Sequence, residues 1–219
     1  MATLFTPLPQ DAFPFPMALT ERYRPKSIGD FVGLDKARKL ASRLIERPFE
    51  SAWLFIGPSG TGKTTLALAI AESMGAELHH IPSQECNLSN LERVCERCQY
   101  IPLSGGFHIV LVDEADQMTA AAQVALLSKL DATAFPPKTI FIFTANATDR
   151  LEARFLSRLR LVEFSSYGIA KDAAALLERI WQENAPEGAV APNFARIVKE
   201  SNNNVREALM HLETDLMLA

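Results

Sequence analysis

The sequence predicts an α/β fold in which a parallel sheet of five strands is flanked by helices and is followed by a small all-helical domain. Three observations support this prediction. Short apolar runs rich in β-branched residues alternate with helix-forming runs over residues 52–164. A glycine-rich loop joins the first of these strands to the helix after it. Beyond residue 165 the strand pattern stops, and three helix-forming runs complete the 219-residue chain.

The predicted strands, in chain order, are 52–56, 77–81, 107–112, 139–144 and 160–164. The central ones are continuous apolar runs, which is the pattern of strands covered by helices on both faces of a sheet. Because strands joined through helices run parallel, we expect a parallel sheet. The predicted helices are 35–47, 63–74, 88–100, 120–131, 151–156, 170–183, 193–200 and 205–218.

The N-terminal segment is apolar but contains Pro7, Pro9, Pro14 and Pro16, which predicts an extended conformation rather than a helix. It is either a free tail or a strap that lies across a neighbouring molecule. The predicted domains are a Pro-rich tail at 1–18, an α/β domain at 19–166 and a helical domain at 167–219.

Composition and charge exclude several classes of protein. No apolar run reaches the roughly 18 residues of a membrane-spanning helix, and no secretory signal pattern is present, so we expect no contact with a membrane. The formal net charge of −4 means that any DNA contact must use a local basic patch. Three cysteines, an odd number, fit a reducing cytoplasmic compartment.

The glycine-rich loop at 57–64 reads GPSGTGKT and fits the pattern G-x-x-x-x-G-K-[ST] at every fixed position. In this pattern, backbone N–H groups surround a polyphosphate, Lys63 reaches the β and γ phosphates, and the Thr64 hydroxyl joins a Mg²⁺ shell. ATP and Mg²⁺ are therefore the expected cofactors. The predicted binding residues in this segment are Gly57, Pro58, Ser59, Gly60, Thr61, Gly62, Lys63, Thr64 and Thr65.

A second motif is the apolar strand at 109–112 that ends in Asp113 and Glu114. The carboxyl ends of parallel strands form the ligand-binding edge of an open α/β sheet. We expect Asp113 to hold Mg²⁺ through water and Glu114 to polarise the water that attacks the γ phosphate. Paired acids at a strand end also serve as caps and turns, but the glycine-rich loop favours the catalytic interpretation.

The three cysteines, Cys86, Cys95 and Cys98, follow a C-x8-C-x2-C spacing. A closed zinc site needs four ligands, and His79 and His80 are the residues that could complete one. The alternative is a helix at 88–100 that carries buried free thiols on its apolar face. The sequence leaves both interpretations open and favours the buried thiols.

One basic surface is predicted from helical periodicity. In the helix at 35–47, four basic residues share one face, opposite an apolar face. This basic face is either an ordinary solvated surface or a stripe that follows the phosphates of DNA. Its residues are Lys36, Lys39, Arg43 and Arg47, and the apolar face consists of Ala37, Leu40, Leu44 and Ile45.

Several ordered segments resemble the motifs of one protein family. They are 21–26 (ERYRPK), 31–33 (FVG), 113–119 (DEADQMT), 144–146 (TAN), 157–159 (SRL) and 204–209 (NVREAL). With the glycine-rich loop, they make the chain similar to AAA+ ATPases, and within that group to the small subunits of sliding-clamp loaders, of the replication factor C type and the bacterial gamma/tau type. The resemblance extends from about Leu19 to Leu216 and implies a P-loop AAA+ core followed by a helical lid domain.

The resemblance also implies roles for individual residues. Asn146 would orient the lytic water, and Arg206 of the lid would touch the γ phosphate. Arg158 would reach the ATP of the adjacent subunit, where an arginine supplied in trans contributes about 10³ to 10⁵ in rate, so that a monomer is nearly inactive. Arg154, four residues earlier and on the same helical face, is a second candidate for such a contact. The residues that would wrap the adenine are Tyr23, Arg24, Pro25, Val32 and Gly33.

Three features depart from the family pattern. Leu159 stands where relatives place a cysteine, and the segment 125–129 (ALLSK) lacks the paired arginines of the eukaryotic and archaeal relatives. The collar domain of about a hundred residues that follows the lid in clamp loaders is missing. We therefore expect either a truncated sequence or a short form whose ring is held by ATP interfaces, a partner subunit or the Pro-rich tail.

The sequence thus predicts an ATP-hydrolysing module that works as a homo- or hetero-oligomer through its ATP interface. The expected setting is a clamp-loader-like complex with a sliding clamp and primed DNA as partners. The alternatives are a helicase loader, a branch-migration motor, or an assembly scaffold with little hydrolysis. Intact Glu114, Asn146 and Arg158 argue against the scaffold.

Overall fold

The computed structural model describes residues 17–102, 106–131 and 133–219, without the side chain of Ser83. The predicted Pro-rich tail therefore lies outside the described residues, apart from its last two. Among the described residues, no helix is both long and apolar enough to span a bilayer.

The sheet has five strands in the order β2-β3-β4-β1-β5, and every neighbouring pair is parallel. This confirms the predicted fold class. The order is that of a doubly wound sheet in which β4 lies between β1 and β3. The strands are β1 (Ser51–Ile56), β2 (Glu77–Ile81), β3 (His108–Val112), β4 (Thr139–Ala145) and β5 (Arg160–Glu163).

Helices cover both faces of the sheet, and most begin and end within a few residues of the predicted bounds. The predicted helix at 88–100 ends at Arg97, because Gln99 and Tyr100 form tight i→i−3 turns instead of continuing it. The α-helices before residue 157 are α1 (Leu19–Arg22), α2 (Asp35–Glu46), α3 (Lys63–Met74), α4 (Leu88–Arg97), α5 (Ala120–Lys129) and α6 (Ala153–Leu156).

Side chains along the central strands alternate between two apolar cores, as the twofold period of a strand requires. One core packs against α2 and α3, and the other packs against α4, α5 and α6. In β4, for example, Ile140 and Ile142 belong to the first core, whereas Phe141 and Phe143 belong to the second. Burial on both faces explains why the sequence of this strand is continuously apolar.

The C-terminal helices form a third core of their own. They are α7 (Ala170–Asn184), α8 (Phe194–Glu200) and α9 (Val205–Leu218). The short α1 packs with them rather than with the sheet: Leu19 is buried in this third core and its backbone N–H donates to Glu213 at 2.9 Å. The segment before the α/β part therefore links the two parts of the chain. The domain boundary at 166/167 stays a prediction.

All three thiols are free and buried. All three pack among the apolar side chains between the sheet and α4. Burial raises the pKa of Cys86 to about 11 and that of Cys98 to about 12. His80, one of the two histidines that could complete such a site, is exposed, and its Nε2 lies 3.7 Å from Asp113. Within the described residues, the other one, His79, groups with Cys98 but with neither Cys86 nor Cys95. The structure therefore does not assemble the zinc site suggested by the cysteine spacing.

Candidate nucleotide-binding site

The sheet order brings the predicted phosphate-binding and acidic residues to one edge. β1 leads into the glycine-rich loop, β3 ends before Asp113, and β4 runs between them and ends before Asn146. Consequently Asn146 lies between the loop and the acidic pair. Residues distant in sequence thus meet at the carboxyl edge, which is where ligands of open α/β sheets bind.

The glycine-rich loop needs glycine at its first position for a steric reason. Gly57 has φ of 154°, and a Cβ there would lie 2.0 Å from the carbonyl oxygen of Phe164 at the end of β5. Gly60 has φ of 75°, and a Cβ there would lie 2.1 Å from Asn204 Oδ1. The loop is therefore packed against both the sheet and the lid, and side chains at these positions would displace it.

The ammonium group of Lys63 lies inside this loop. Its Nζ donates to the carbonyls of Gly57 at 2.6 Å and Pro58 at 2.8 Å, and to Asn146 Oδ1 at 3.0 Å. Burial lowers the pKa of Lys63, and the neighbouring carboxylates of Asp116 and Asp113 oppose that shift. The loop carbonyls thus accept the hydrogen bonds that the Lys63 ammonium group would donate to a bound polyphosphate.

Two hydroxyl groups converge on one oxygen of Asp113. Thr64 Oγ1 donates to Asp113 Oδ1 at 2.7 Å, and Thr144 Oγ1 donates to the same oxygen. Thr144 Oγ1 also accepts from the backbone N–H of Glu114 at 3.0 Å. A carboxylate beside the hydroxyl of the P-loop threonine is the oxygen donor set that a partly hydrated Mg²⁺ prefers, so these residues fit that ion.

The carboxylate of Glu114 is exposed, and its backbone is left-handed with φ of 51°. A non-glycine residue in this region costs of order 1 to 3 kcal/mol and persists only where the surroundings hold it. Here the bond from Glu114 N–H to Thr144 ties the strained residue to β4.

Sequence reasoning missed Asp116. This residue is 8 % exposed, one carboxylate oxygen accepts weakly from Asn146 N at 3.4 Å, and the other has no partner within the described residues. An unpaired buried carboxylate oxygen near Lys63 leaves an acceptor free for a water or a cation. Its sequence signal was its place in the segment 113–119, for which only Asp113 and Glu114 were given roles.

A cavity of about 850 Å³ lies between the α/β part and the helical part. Val32 and Leu209 contribute apolar walls, and the P-loop backbone borders it at Gly60 to Gly62. This size and mixed lining suit a nucleotide. Of the predicted adenine and phosphate residues, those that line the cavity are Tyr23, Arg24, Pro25, Val32, Gly60, Thr61, Gly62, Thr65 and Arg206.

Gly33 lies just behind the cavity wall instead of lining it. It has φ of 62°, and a Cβ there would lie 2.5 Å from the Ile169 side chain. Glycine at this position therefore permits close contact between the N-terminal segment and the start of α7. A larger residue at position 33 would change the cavity only indirectly, by displacing Ile169.

The lid contacts the P-loop through Asn204, whose role sequence reasoning did not identify. Its Nδ2 donates to the Ser59 carbonyl at 3.2 Å, and its Oδ1 accepts from Glu207 N at 3.3 Å as the N-cap of α9. One side chain thus joins the start of α9 to the phosphate loop. Arg206, two residues further on, is exposed and faces the cavity.

Arg158 does not line this cavity. Its Nε donates to Asp131 Oδ1 at 2.9 Å, and its Nη1 donates to the Arg154 carbonyl at 3.0 Å. The expectation that Arg154 and Arg158 share a helical face is wrong, because α6 ends at Leu156 and Arg158 lies in the turn after it. Arg154 pairs with Glu152 at 2.8 Å.

Gln123 of α5 fixes the segment that leads to Arg158. It is 2 % exposed, its Nε2 donates to the Arg150 carbonyl at 3.0 Å, and its Oε1 accepts from Glu152 N at 2.8 Å. A buried amide thus satisfies two backbone groups in the loop before α6.

We expect Gln123→Leu to lower the free energy of unfolding by about 1 to 3 kcal/mol, because it leaves two partly buried backbone groups without their partner. Thermal unfolding would move down by several degrees. The exposed Gln182→Leu in α7 is the matched control. Equal melting temperatures for the two variants would contradict the bridging role of Gln123.

Comparison with known proteins agrees with this geometry. The model of the ATPase family associated with various cellular activities (AAA) matches residues 53–167, and the chain belongs to this family. The replication factor C small subunit of Thermofilum pendens is 29% identical over 215 residues, which cover 87% of this chain and 65% of that protein. The replication factor C small subunit 1 of Pyrobaculum islandicum is 34% identical over 153 residues, 66% of this chain and 46% of that protein.

The chain therefore spans about half to two thirds of the length of these curated relatives. Among solved structures, the Thermotoga maritima RuvB Holliday junction branch migration motor superposes with a TM-score of 0.72 at 21% identity, covering 87% of this chain and 64% of that one. At this identity the similarity concerns the fold. The curated relatives, named replication factor C small subunit, agree with the assignment to the AAA family.

Proposed function

We propose that this chain is the ATP-hydrolysing module of an oligomeric, clamp-loader-like complex that acts on DNA. The observation that carries the proposal is the arrangement of Lys63, Asp113 and Asn146 around the P-loop, while Arg158 pairs with Asp131 at 2.9 Å instead of contacting any of these residues. The relatives named replication factor C small subunit supply the DNA setting. An ATPase with an arginine outside its own site is suited to work between subunits.

In the proposed mechanism, Lys63 exchanges its bonds to the loop carbonyls for bonds to the β and γ phosphates of ATP. Asp113 and Thr64 would hold the Mg²⁺ that offsets the phosphate charge. Glu114 would take a proton from the attacking water, and Asn146 would hold that water in line. Arg206 would bind the γ phosphate from the lid, so that hydrolysis releases the lid.

The adjacent subunit would supply Arg158 to stabilise the charge of the transferring phosphoryl group. The proposed partners are other subunits of a homo- or hetero-oligomer, together with a sliding clamp and primed DNA. A helicase loader, a branch-migration motor and a scaffold with little hydrolysis are the competing proposals.

The basic face of α2 is the candidate DNA contact. Lys39 and Arg43 are exposed and border a groove of about 730 Å³ beside residues 28 and 29. Asp35 and Glu46 also line the groove, so its charge is more mixed than the sequence pattern suggested. Arg38, which also lines the groove, is less available to DNA because its Nε donates to the Ile28 carbonyl at 3.1 Å.

We expect primed DNA to stimulate the ATPase of the assembled protein and the double variant Lys39→Glu with Arg43→Glu to lose most of that stimulation. Each phosphate contact removed should also lower the salt slope of DNA binding by about 1. The matched control reverses Lys171 and Lys199, which are exposed on the helical part and give the same change in net charge.

Unchanged stimulation in the Lys39 and Arg43 variant would refute the α2 contact. Stimulation by a four-way junction but not by primed DNA would favour the branch-migration motor. A protein substrate would be favoured if neither DNA changed the rate.

A further inference from the structure

A cluster of possible metal ligands lies at the opposite end of the sheet from the P-loop. It combines His79 of β2, His108 at the start of β3, and Cys98 directly after α4. One ligand atom from each residue lies within 4.8 Å of the other two. His108 precedes Asp113 by five strand positions, or about 16 Å, so this cluster is separate from the nucleotide site.

The hydrogen bonds of His108 determine which of its nitrogens is free. Its Nε2 lies 2.8 Å from the carbonyl oxygen of Tyr100, which can only accept, so Nε2 carries the proton. In the neutral ring, Nδ1 then has a free lone pair, and it faces His79 Nε2 at 3.0 Å. A ligand histidine whose second nitrogen donates to a backbone carbonyl is the usual arrangement at protein metal sites.

The third member of the cluster is a thiol, and a carboxylate lies beside the two histidines. The Cys98 side chain is fully buried. The carboxylate of Glu77 lies 3.8 Å from His79 Nε2 and 3.9 Å from His108 Nδ1, and its side chain is 26% exposed. Glu77 therefore offers both a fourth ligand and a route from solvent. Arg97 Nη2 lies 3.4 Å from Glu77 Oε1, the oxygen that also faces His79.

We propose that His79, Cys98 and His108 bind a Zn²⁺ ion, with Glu77 as the fourth ligand. Two imidazoles, a thiolate and a carboxylate are ligands that Zn²⁺ accepts in tetrahedral sites. Such a site separates its ligand atoms by about 3.3 to 3.6 Å, so the two histidine nitrogens need to move apart by only a few tenths of an ångström.

Binding requires changes of protonation that the surroundings permit. Each imidazole binds the metal in its neutral form through the nitrogen that carries no proton. The Cys98 thiol loses its proton to solvent as the metal–sulfur bond forms. His79 Nε2 now donates to His108 Nδ1, so its proton must move to His79 Nδ1 by exchange with solvent before Nε2 binds the metal, which then replaces that hydrogen bond for both rings.

This site differs from the one that the cysteine spacing suggests. It uses Cys98 and His79 but neither Cys86 nor Cys95, and it replaces His80 with His108. The ion would fasten the end of α4 to β2 and β3. Its expected role is structural, because all four positions are taken by protein ligands and none is left for a substrate.

The test uses the untagged full chain after removal of metal with a chelator. Zn²⁺ is titrated against a chromophoric competitor, and Co²⁺ replaces it for absorption spectroscopy. We expect one equivalent bound, a thiolate-to-cobalt charge-transfer band, and a rise in melting temperature when Zn²⁺ is present.

Cys98→Ser and His108→Asn are expected to weaken Zn²⁺ binding at least about tenfold. Cys86→Ser, which also removes a buried thiol, and His211→Asn, which removes an exposed imidazole, should bind as the unaltered chain does. Circular dichroism checks that each variant folds.

Should the Cys98 or His108 variant fail to fold, the unaltered chain still decides the question. Zn²⁺ must then protect Cys98 from alkylation, as identified by peptide mass spectrometry, while leaving Cys86 and Cys95 unchanged. Absence of stoichiometric binding, absence of the charge-transfer band, or full binding by folded Cys98→Ser would overturn the proposal and leave a hydrogen-bonded histidine pair.

Discussion

The variant Glu114→Gln should bind ATP with nearly unchanged affinity and hydrolyse it about 10² to 10⁴ times more slowly. The amide keeps the size of the side chain but cannot accept a proton from water at neutral pH. The left-handed backbone that presents this residue is held by the bond to Thr144, which uses a main-chain N–H and survives the change. The variant should therefore keep ATP binding and lose most of its hydrolysis.

Lys63→Ala should behave differently and weaken ATP binding at least about tenfold. Its ammonium group is placed to donate to phosphate, and a hydrogen bond to a charged group contributes about 1.5 to 3 kcal/mol. The same change removes the bond to Asn146 Oδ1 at 3.0 Å, so the polar residue after β4 also loses an anchor. Loss of both binding and turnover is the expected result.

Binding is measured by equilibrium titration with a fluorescent ATP analogue, and turnover by phosphate release from the assembled protein. Glu178→Gln is the matched control for the first variant, because Glu178 is exposed on α7 and outside the cavity lining. Near-normal phosphate release by Glu114→Gln would remove Glu114 from the catalytic role. Tight ATP binding by Lys63→Ala would remove Lys63 from the phosphate site.

The sheet and the P-loop could be predicted because their signals are local. A strand such as β4, buried on both faces, must be continuously apolar, and a loop such as 57–64 carries its fixed residues within eight positions. The strand bounds thus follow from composition and the parallel direction follows from the intervening helices. The order of the strands was the part that periodicity alone did not specify.

Contacts between distant segments could not be predicted in the same way. Asn204 meets Ser59 across 145 positions, and Gln123 meets Arg150 across 27, through backbone groups that carry no side-chain signature. The pair of His79 and His108 likewise depends on which strands are neighbours. Such contacts depend on which segments become neighbours in the folded chain, and no local pattern in the sequence indicates that.

A second large loss of turnover is expected when Arg158 is replaced. Arg158→Ala should retain ATP binding and lose about 10³-fold in turnover, because the arginine is proposed to act on the ATP of the adjacent subunit. Its ion pair with Asp131 is partly exposed, with Arg158 at 33% and Asp131 at 50% of side-chain area accessible. An exposed pair of this kind contributes about 0 to 1 kcal/mol, so the variant should still fold.

Mixing experiments distinguish action in trans from action within one chain. Arg158→Ala subunits keep Glu114, and Glu114→Gln subunits keep Arg158, so some interfaces in a mixed assembly contain both groups. Mixing two nearly inactive variants should therefore restore part of the activity. The specific activity of the unaltered chain should also rise with protein concentration as subunits associate.

Arg196→Ala is the matched control, since Arg196 is an exposed arginine of α8 that pairs with Glu200 at 2.7 Å. It should match the unaltered chain in both assays. Turnover that does not depend on concentration, or mixed variants that stay as inactive as each alone, would place the action of Arg158 within its own subunit. In that case the ion pair with Asp131 would have to break in the monomer for Arg158 to approach its own cavity, and Asp131→Asn would raise the monomer rate.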